Sequence, residues 1–176
     1  MINGNKTIIR PLEEEDMEAF YQWYNDPEVN YWSTGSWPLN TLLSKEEIQD
    51  RYLENSDEHR YAILNLDKEI IGTIGFREVN IPARSATVFI VIGNKQYWGQ
   101  GYGTDALKIF LQFLFQQWNF HRISLDTWDG NIRAIKAYQK LGFICEGKLR
   151  EARFVQGEYR DALVFGILSS EFLKKG

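Results

Sequence analysis

The chain predicts a mixed α/β (α+β) fold, a sheet flanked by helices, on three observations. Short β-branched runs alternate with longer stretches whose apolar residues recur at helical spacing. They follow one another as β-α-α-β-β-β-α-β-α-β-β, with no internal repeat or low-complexity stretch. One junction, Tyr97-Trp98-Gly99-Gln100-Gly101-Tyr102-Gly103-Thr104, passes from a β-branched run (Thr87-Val88-Phe89-Ile90-Val91-Ile92) through glycines into an apolar helix. At 176 residues, with 44% hydrophobic and 25% charged side chains, the chain is expected to be one soluble domain over 1–176 with a substantial core.

Thr7-Ile8-Ile9-Arg10 reads as the first strand, ended by Pro11. Met17, Phe20, Tyr21 and Tyr24 mark a helix over 14–23 with acids in its first turn, and Asn25-Asp26-Pro27 is expected to stop it. A turn-rich loop, Ser33-Thr34-Gly35-Ser36-Trp37-Pro38, comes next. Ser44 and Glu47 then have capping-box spacing at the start of a second helix. Strands are predicted over 61–66, 69–76 and 86–92. The helix over 105–118 offers Ala106, Leu107, Ile109, Phe110, Phe113 and Leu114 to the core. A strand over 122–127 and a helix over 132–141 follow, the helix closed by Gly142, with Leu141 and Phe143 read as core. Two last strands, around 152–155 and over 161–168, have a hairpin turn at Gln156-Gly157 between them.

Composition excludes several function classes. A net charge of −4 disfavours a nucleic-acid surface. No run approaches the roughly 20 apolar residues of a membrane span, and Met1-Ile2-Asn3-Gly4-Asn5-Lys6 has no signal-peptide character, so a cytoplasmic protein is expected. The single cysteine, Cys145, follows Phe143-Ile144 and reads as core rather than as a nucleophile. His59 reads as solvated and His121 as a surface or packing residue, so no metal-ligand spacing exists. Among six tryptophans, Trp32, Trp37, Trp98 and Trp128 stand in loop-like contexts, where rings wall a pocket or form a satellite cluster.

The glycine junction is the first functional signal. Strand, glycine turn and helix start aim unpaired N–H groups and partial positive charge at an anion. A P-loop would need Lys-Ser/Thr after the second glycine, but Thr104-Asp105 follows Gly103; a Rossmann turn would need glycine where Thr104 stands. What remains is a diphosphate-sized cradle suited to a cofactor held by its handle, such as coenzyme A. A second segment follows, Asn131-Ile132-Arg133-Ala134-Ile135-Lys136-Ala137-Tyr138-Gln139-Lys140-Leu141-Gly142-Phe143, in which residues 131, 134, 138 and 141 fall near one helical face. Asn131 there caps the helix or bonds a cofactor arm, and Tyr138 is a core ring or a proton donor.

Together these segments resemble the GNAT superfamily of acetyl-CoA-dependent N-acetyltransferases, most closely the branch with the ribosomal-protein and spermidine N-acetyltransferases. The resemblance runs nearly end to end, from Ile9-Arg10-Pro11-Leu12-Glu13 to Gly157-Glu158-Tyr159-Arg160-Asp161. It implies a GNAT-like, mostly antiparallel sheet and acetyl-CoA as co-substrate, with no metal. The diphosphate would lie over Trp98, Gly99, Gln100, Gly101, Tyr102, Gly103 and Thr104, and the pantetheine beside Val91, Ile92, Asn131 and Ala134. Trp98 departs from the superfamily's usual Arg or Gln, which shifts the diphosphate toward backbone donors. The resemblance makes Tyr138 the general acid at the thioester sulfur and Asp126 the best match for a base. The acid that many relatives carry before the glycine turn is missing at Ala86-Thr87-Val88, so Glu78, Glu151 and bulk water stay open as bases.

With no Ser/His/Asp or Cys/His arrangement, direct transfer to a primary amine in a ternary complex is expected. A polyamine acceptor fits the C-terminal third, but Tyr31-Trp32-Ser33-Thr34-Gly35-Ser36-Trp37-Pro38-Leu39-Asn40 lacks the acids a polycation requires. A protein N-terminus, an amino sugar and a small-molecule amine therefore stay open, with a homo-oligomer possible. A non-catalytic acyl-CoA sensor on the same fold would not need Tyr138.

Overall fold

The computed structural model describes residues 1–34, 43–50 and 58–174. Among them, eight strands form one sheet: β1 (Ile2–Asn3), β2 (Thr7–Pro11), β3 (His59–Asn65), β4 (Ile70–Asn80), β5 (Ser85–Ile92), β6 (Arg122–Trp128), β7 (Ile144–Val155) and β8 (Glu158–Leu168). Their spatial order is β1-β2-β3-β4-β5-β6-β8-β7. All neighbours are antiparallel except β5 and β6.

That parallel pair is short. Ser85, Ala86 and Thr87 pair with Arg122, Ile123 and Ser124, and the pairing ends there. β5 stays paired to β4 out to Ile92, and β6 to β8 out to Trp128, so each strand follows its outer neighbour and the sheet opens between them. The gap is the main topological fact behind the site.

Side-chain alternation sorts the sheet into two unlike faces. Ile9, Ile63, Ile74, Phe76, Val88, Ile123 and Leu125 share the apolar face, buried in one cluster with Leu107, Phe110, Leu111 and Leu114 of α4 (Tyr102–Gln116) and Tyr138 of α5 (Ile132–Leu141). The opposite face carries Arg60, Arg77, Phe89 and Asp126. Against it lie α1 (Met17–Tyr24), which follows a 3-10 turn at Glu14–Asp16, and α2 (Pro27–Thr34). The predicted capping box opens α3 (Lys45–Gln49): the Glu47 N–H donates to Ser44 Oγ (3.1 Å) and the Ser44 N–H to Glu47 Oε2 (2.7 Å). No helix of the described residues is long and apolar enough to cross a membrane.

The structure departs from the expectations in three places. α1 ends at Tyr24, where Asn25-Asp26-Pro27 is expected to stop it, but Pro27 also begins a further helix, α2, because proline at the first helical position lacks only an N–H that would be unpaired there anyway. Asp26 Oδ1 accepts from the N–H groups of Glu28 (2.9 Å) and Val29 (3.2 Å), which completes the start of α2. Cys145 is exposed, since β7 is the outermost strand and lies past the helical cover; Phe143 is the last buried residue before it. The ends of the chain add β1 and α6 (Ser169–Leu173), which were not anticipated. Residues 35–40 of the turn-rich loop, Trp37 included, lie outside the described residues.

Candidate active site

The glycine turn is open where an anion would need it to be. Gly101 is the N-cap of α4 in a left-handed conformation (φ 86°), and no side chain caps the helix. A Cβ built on Gly99 or Gly101 would meet nothing within 4 Å, so the absence of side chains leaves real space above the turn. The N–H groups of Tyr102, Gly103 and Thr104 donate to no described atom, as the first turn of a helix requires. That start is fixed from behind: Asp105 Oδ2 accepts from the N–H groups of Lys6 (2.9 Å) and Thr7 (3.0 Å) and from the Thr7 hydroxyl (2.7 Å).

The Trp98 indole takes a structural position. Its indole N–H donates to the Ile92 carbonyl (2.6 Å), tying the turn to the end of β5, and Arg133 lies 4.3 Å above the Trp98 ring. Burial lowers the Arg133 pKa from its usual range. Arg133 is thus a cation beside the cradle that sequence reasoning passed over; its signal was its place two residues after Asn131.

Between the turn, the unpaired edge of β5 and α5 lies a groove of about 360 Å³. Val91, Ile92, Trp98, Gly99, Gly101, Tyr102, Gly103, Thr104, Asn131, Ala134 and Tyr138 all line it. Gln100 does not: its side chain turns back to the Gln96 carbonyl, and its own carbonyl accepts from Lys6 Nζ (3.0 Å). Asn131 is committed on both sides of its amide. Oδ1 accepts from the Ala134 N–H (3.2 Å), capping α5, and Nδ2 donates to the Trp32 carbonyl (2.6 Å), joining α5 to α2. The capping alternative therefore holds, and Trp32 sits on a helix, not in a loop.

A second cavity, of about 250 Å³, lies on the polar face of the sheet under α1 and α2. Val29, Ser33, Ile90, Val91, Thr127 and Tyr138 line both cavities, so the two communicate where β5 and β6 part. The Tyr138 ring is packed edge-on to Phe165 (5.8 Å) and tilted against Phe143 (6.0 Å). Its hydroxyl makes no hydrogen bond to any described residue. Burial first, then the negative charge of Asp126, pushes the Tyr138 phenol well above its ordinary value, so it holds its proton throughout the neutral range.

Asp126 lines the second cavity and is ion-paired with Arg153, a partner contributed by β7 that only the tertiary pairing reveals. The other carboxylates left open as bases stand elsewhere. Glu78 is exposed and accepts from the Thr87 hydroxyl (2.7 Å), and Glu151 is exposed on β7; neither lines either of these two cavities. Trp128, at the end of β6, is 3% exposed and lines the second cavity, and Trp32 and Trp98 line the first. His59 is exposed, though stacked on Phe76 (4.4 Å), and His121 is exposed. Among the described residues no group of three His, Cys, Asp or Glu could hold a metal.

A family model described as an acetyltransferase (GNAT) domain matches residues 6–144. The chain belongs to the GNAT acetyltransferase family. It is an acetyl-CoA-dependent N-acetyltransferase, similar over 98% of its length to the spermidine N(1)-acetyltransferase of Escherichia coli K12, at 30% identity and covering 91% of that protein. An uncharacterized N-acetyltransferase, p20, of Bacillus licheniformis is 27% identical, with 95% of each chain covered. The crystal structure of spermidine N-acetyltransferase from Vibrio cholerae in complex with CoA and spermine superposes with a TM-score of 0.84 at 26% identity, covering 95% of this chain and 98% of that one. The acetyltransferase also has that family's mixed, mostly antiparallel sheet.

Proposed function

We propose that this enzyme holds acetyl-CoA in the first cavity and a primary amine in the second, and transfers the acetyl group directly where the two meet. The observation that carries the reading is the Tyr138 hydroxyl, which stands at that junction as a protonated phenol with no protein partner among the described residues. The cradle fits the co-substrate: the open space over Gly99 and Gly101 and the unpaired N–H groups of the α4 start suit a diphosphate. The free edge of β5 suits the amides of an extended arm, with the Ile92 carbonyl already taken by Trp98. Bound there, acetyl-CoA supplies an activated acyl carbon and a thiolate leaving group.

Tyr138 donates its proton to the departing sulfur. Asp126 attracts the incoming ammonium and accepts its proton, directly or through water, while Arg153 holds the carboxylate in place. Val91, Ile92 and the α5 face fix the two reactants against each other, which supplies much of the rate. A polyamine acceptor is the second reading, and the names of the relatives favour it. The test is a screen of amines, aminoglycosides and N-terminal peptides with acetyl-CoA, following free thiol. Acceptor-dependent thiol release is the expected result. CoA binding with no release from any amine would overturn the transfer reading in favour of an acyl-CoA sensor.

A further inference from the structure

The second cavity has more positive charge than an amine pocket needs. Among the described residues that line it, Arg60, Arg77 and Arg153 are cationic and Asp126 is the one carboxylate. They come from four different strands, gathered by register: Arg60 pairs with Gly75, Gly75 with Phe89, and Arg77 with Thr87. Both Arg60 (4.4 Å) and Arg77 (5.7 Å) lie over the Phe89 ring. Glu58, outside the lining, bonds Arg60 and reaches Arg77 at 3.4 Å, and Glu78 stands 3.9 Å from Arg77. A guanidinium has five N–H donors. Arg77 and Arg153 each use one in a hydrogen bond within the described residues, Arg77 to Glu58 and Arg153 to Asp126. The buried Trp128 indole N–H, in the same lining, has no acceptor among the described residues. Among the described residues the lining therefore offers unused donors on Arg77, Arg153 and Trp128, with Asp126 as its one carboxylate and Glu58 behind Arg60 and Arg77.

A second ammonium on the acceptor would face these guanidinium groups in a partly desolvated space, where like charges repel strongly. An anion would be bound by them, and the planar fork of arginine suits carboxylate and phosphate alike. We propose that the acceptor cavity selects a primary amine that carries its own anionic group, carboxylate or phosphate, with the ammonium beside Asp126 and the anion on Arg77, beside Arg60. This rests on the reading of the cavity as the acceptor site. Phe89, under the two arginines, and Val91, at the junction, are two residues apart, roughly 7 Å along the strand. That separation matches a short ω-amino acid.

The experiment compares 4-aminobutyrate, O-phosphoethanolamine, butylamine and spermidine by thiol release, and by calorimetric binding in the presence of CoA. The expected result is a kcat/KM at least about 10-fold higher for an anionic amine than for butylamine or spermidine, as charge complementarity predicts. The carboxylate and phosphate arms tell which anion is used. Arg77→Glu should shift the preference toward spermidine, with CoA affinity reporting that the variant is folded. Release from butylamine or spermidine without an anionic preference, or an unchanged order in Arg77→Glu, overturns the inference and leaves the transfer reading standing. Binding of anionic amines without thiol release upholds the inference and overturns the transfer reading.

Discussion

Tyr138→Phe separates catalysis from packing more cleanly than any other substitution in this enzyme. The ring is held by Phe143 and Phe165, and a phenylalanine keeps both contacts. The hydroxyl bonds no described residue, so among these residues its removal breaks no hydrogen bond and leaves no partner unsatisfied. The change in stability should therefore stay within about 1 kcal/mol, or roughly 3 °C in melting temperature. Turnover should fall about 10²-fold, near 2.7 kcal/mol of barrier, the lower end for losing a proton-transfer group when the leaving thiolate is only moderately basic. Folding also raises the phenol's pKa, so an unfolded chain loses this proton first as pH climbs. The resulting stability is fully present below about pH 10 and declines above it, and the phenylalanine variant should lack that alkaline decline. The assay is steady-state thiol release with a confirmed acceptor, beside CoA calorimetry and thermal melts from neutral pH to above 10. A variant that melts lower yet turns over normally would refute the acid role and return Tyr138 to the core.

Gly101→Asn adds a side chain over the turn, and asparagine is among the few residues that tolerate a left-handed backbone. CoA affinity by calorimetry should fall at least about 10-fold with little change in melting temperature, the scale of losing one charge-assisted contact; unchanged affinity would remove the turn from the cofactor site. Gly101→Val should weaken CoA binding as well and, because of its strained φ, also lose stability. Asp126→Asn should lower kcat/KM most at low pH, where free amine is scarcest, and a pH–rate profile identical to wild type would remove Asp126 from the mechanism. Asp105→Ala strips the acceptor from the Lys6 and Thr7 N–H groups and the Thr7 hydroxyl. It should cost about 2–3 kcal/mol in denaturant unfolding, the scale for hydrogen bonds to a charged group.

What could be read from residues alone was local. The strand, glycine turn and helix around 87–118 needed only periodicity and glycine chemistry. The Asn131 cap and the Gly142 end of α5 needed only neighbours one turn away, and the first cavity is built mostly from these two segments. Pro27 is both a stop and a start: α1 ends before it, and α2 begins at it because the Asp26 carboxylate accepts from the N–H groups of the next turn. Cys145 misled because apolar neighbours imply burial only where another layer covers the strand, and β7 is at the sheet edge. The second cavity was not legible at all. Arg60, Arg77, Asp126 and Arg153 have no spacing in the chain that relates them. Strand register and the parting of β5 from β6 bring them together, and both depend on long-range pairing that no local pattern encodes. Local chemistry thus specified the segments that wall the first cavity, whereas the charged lining of the second exists only once distant strands have been laid side by side.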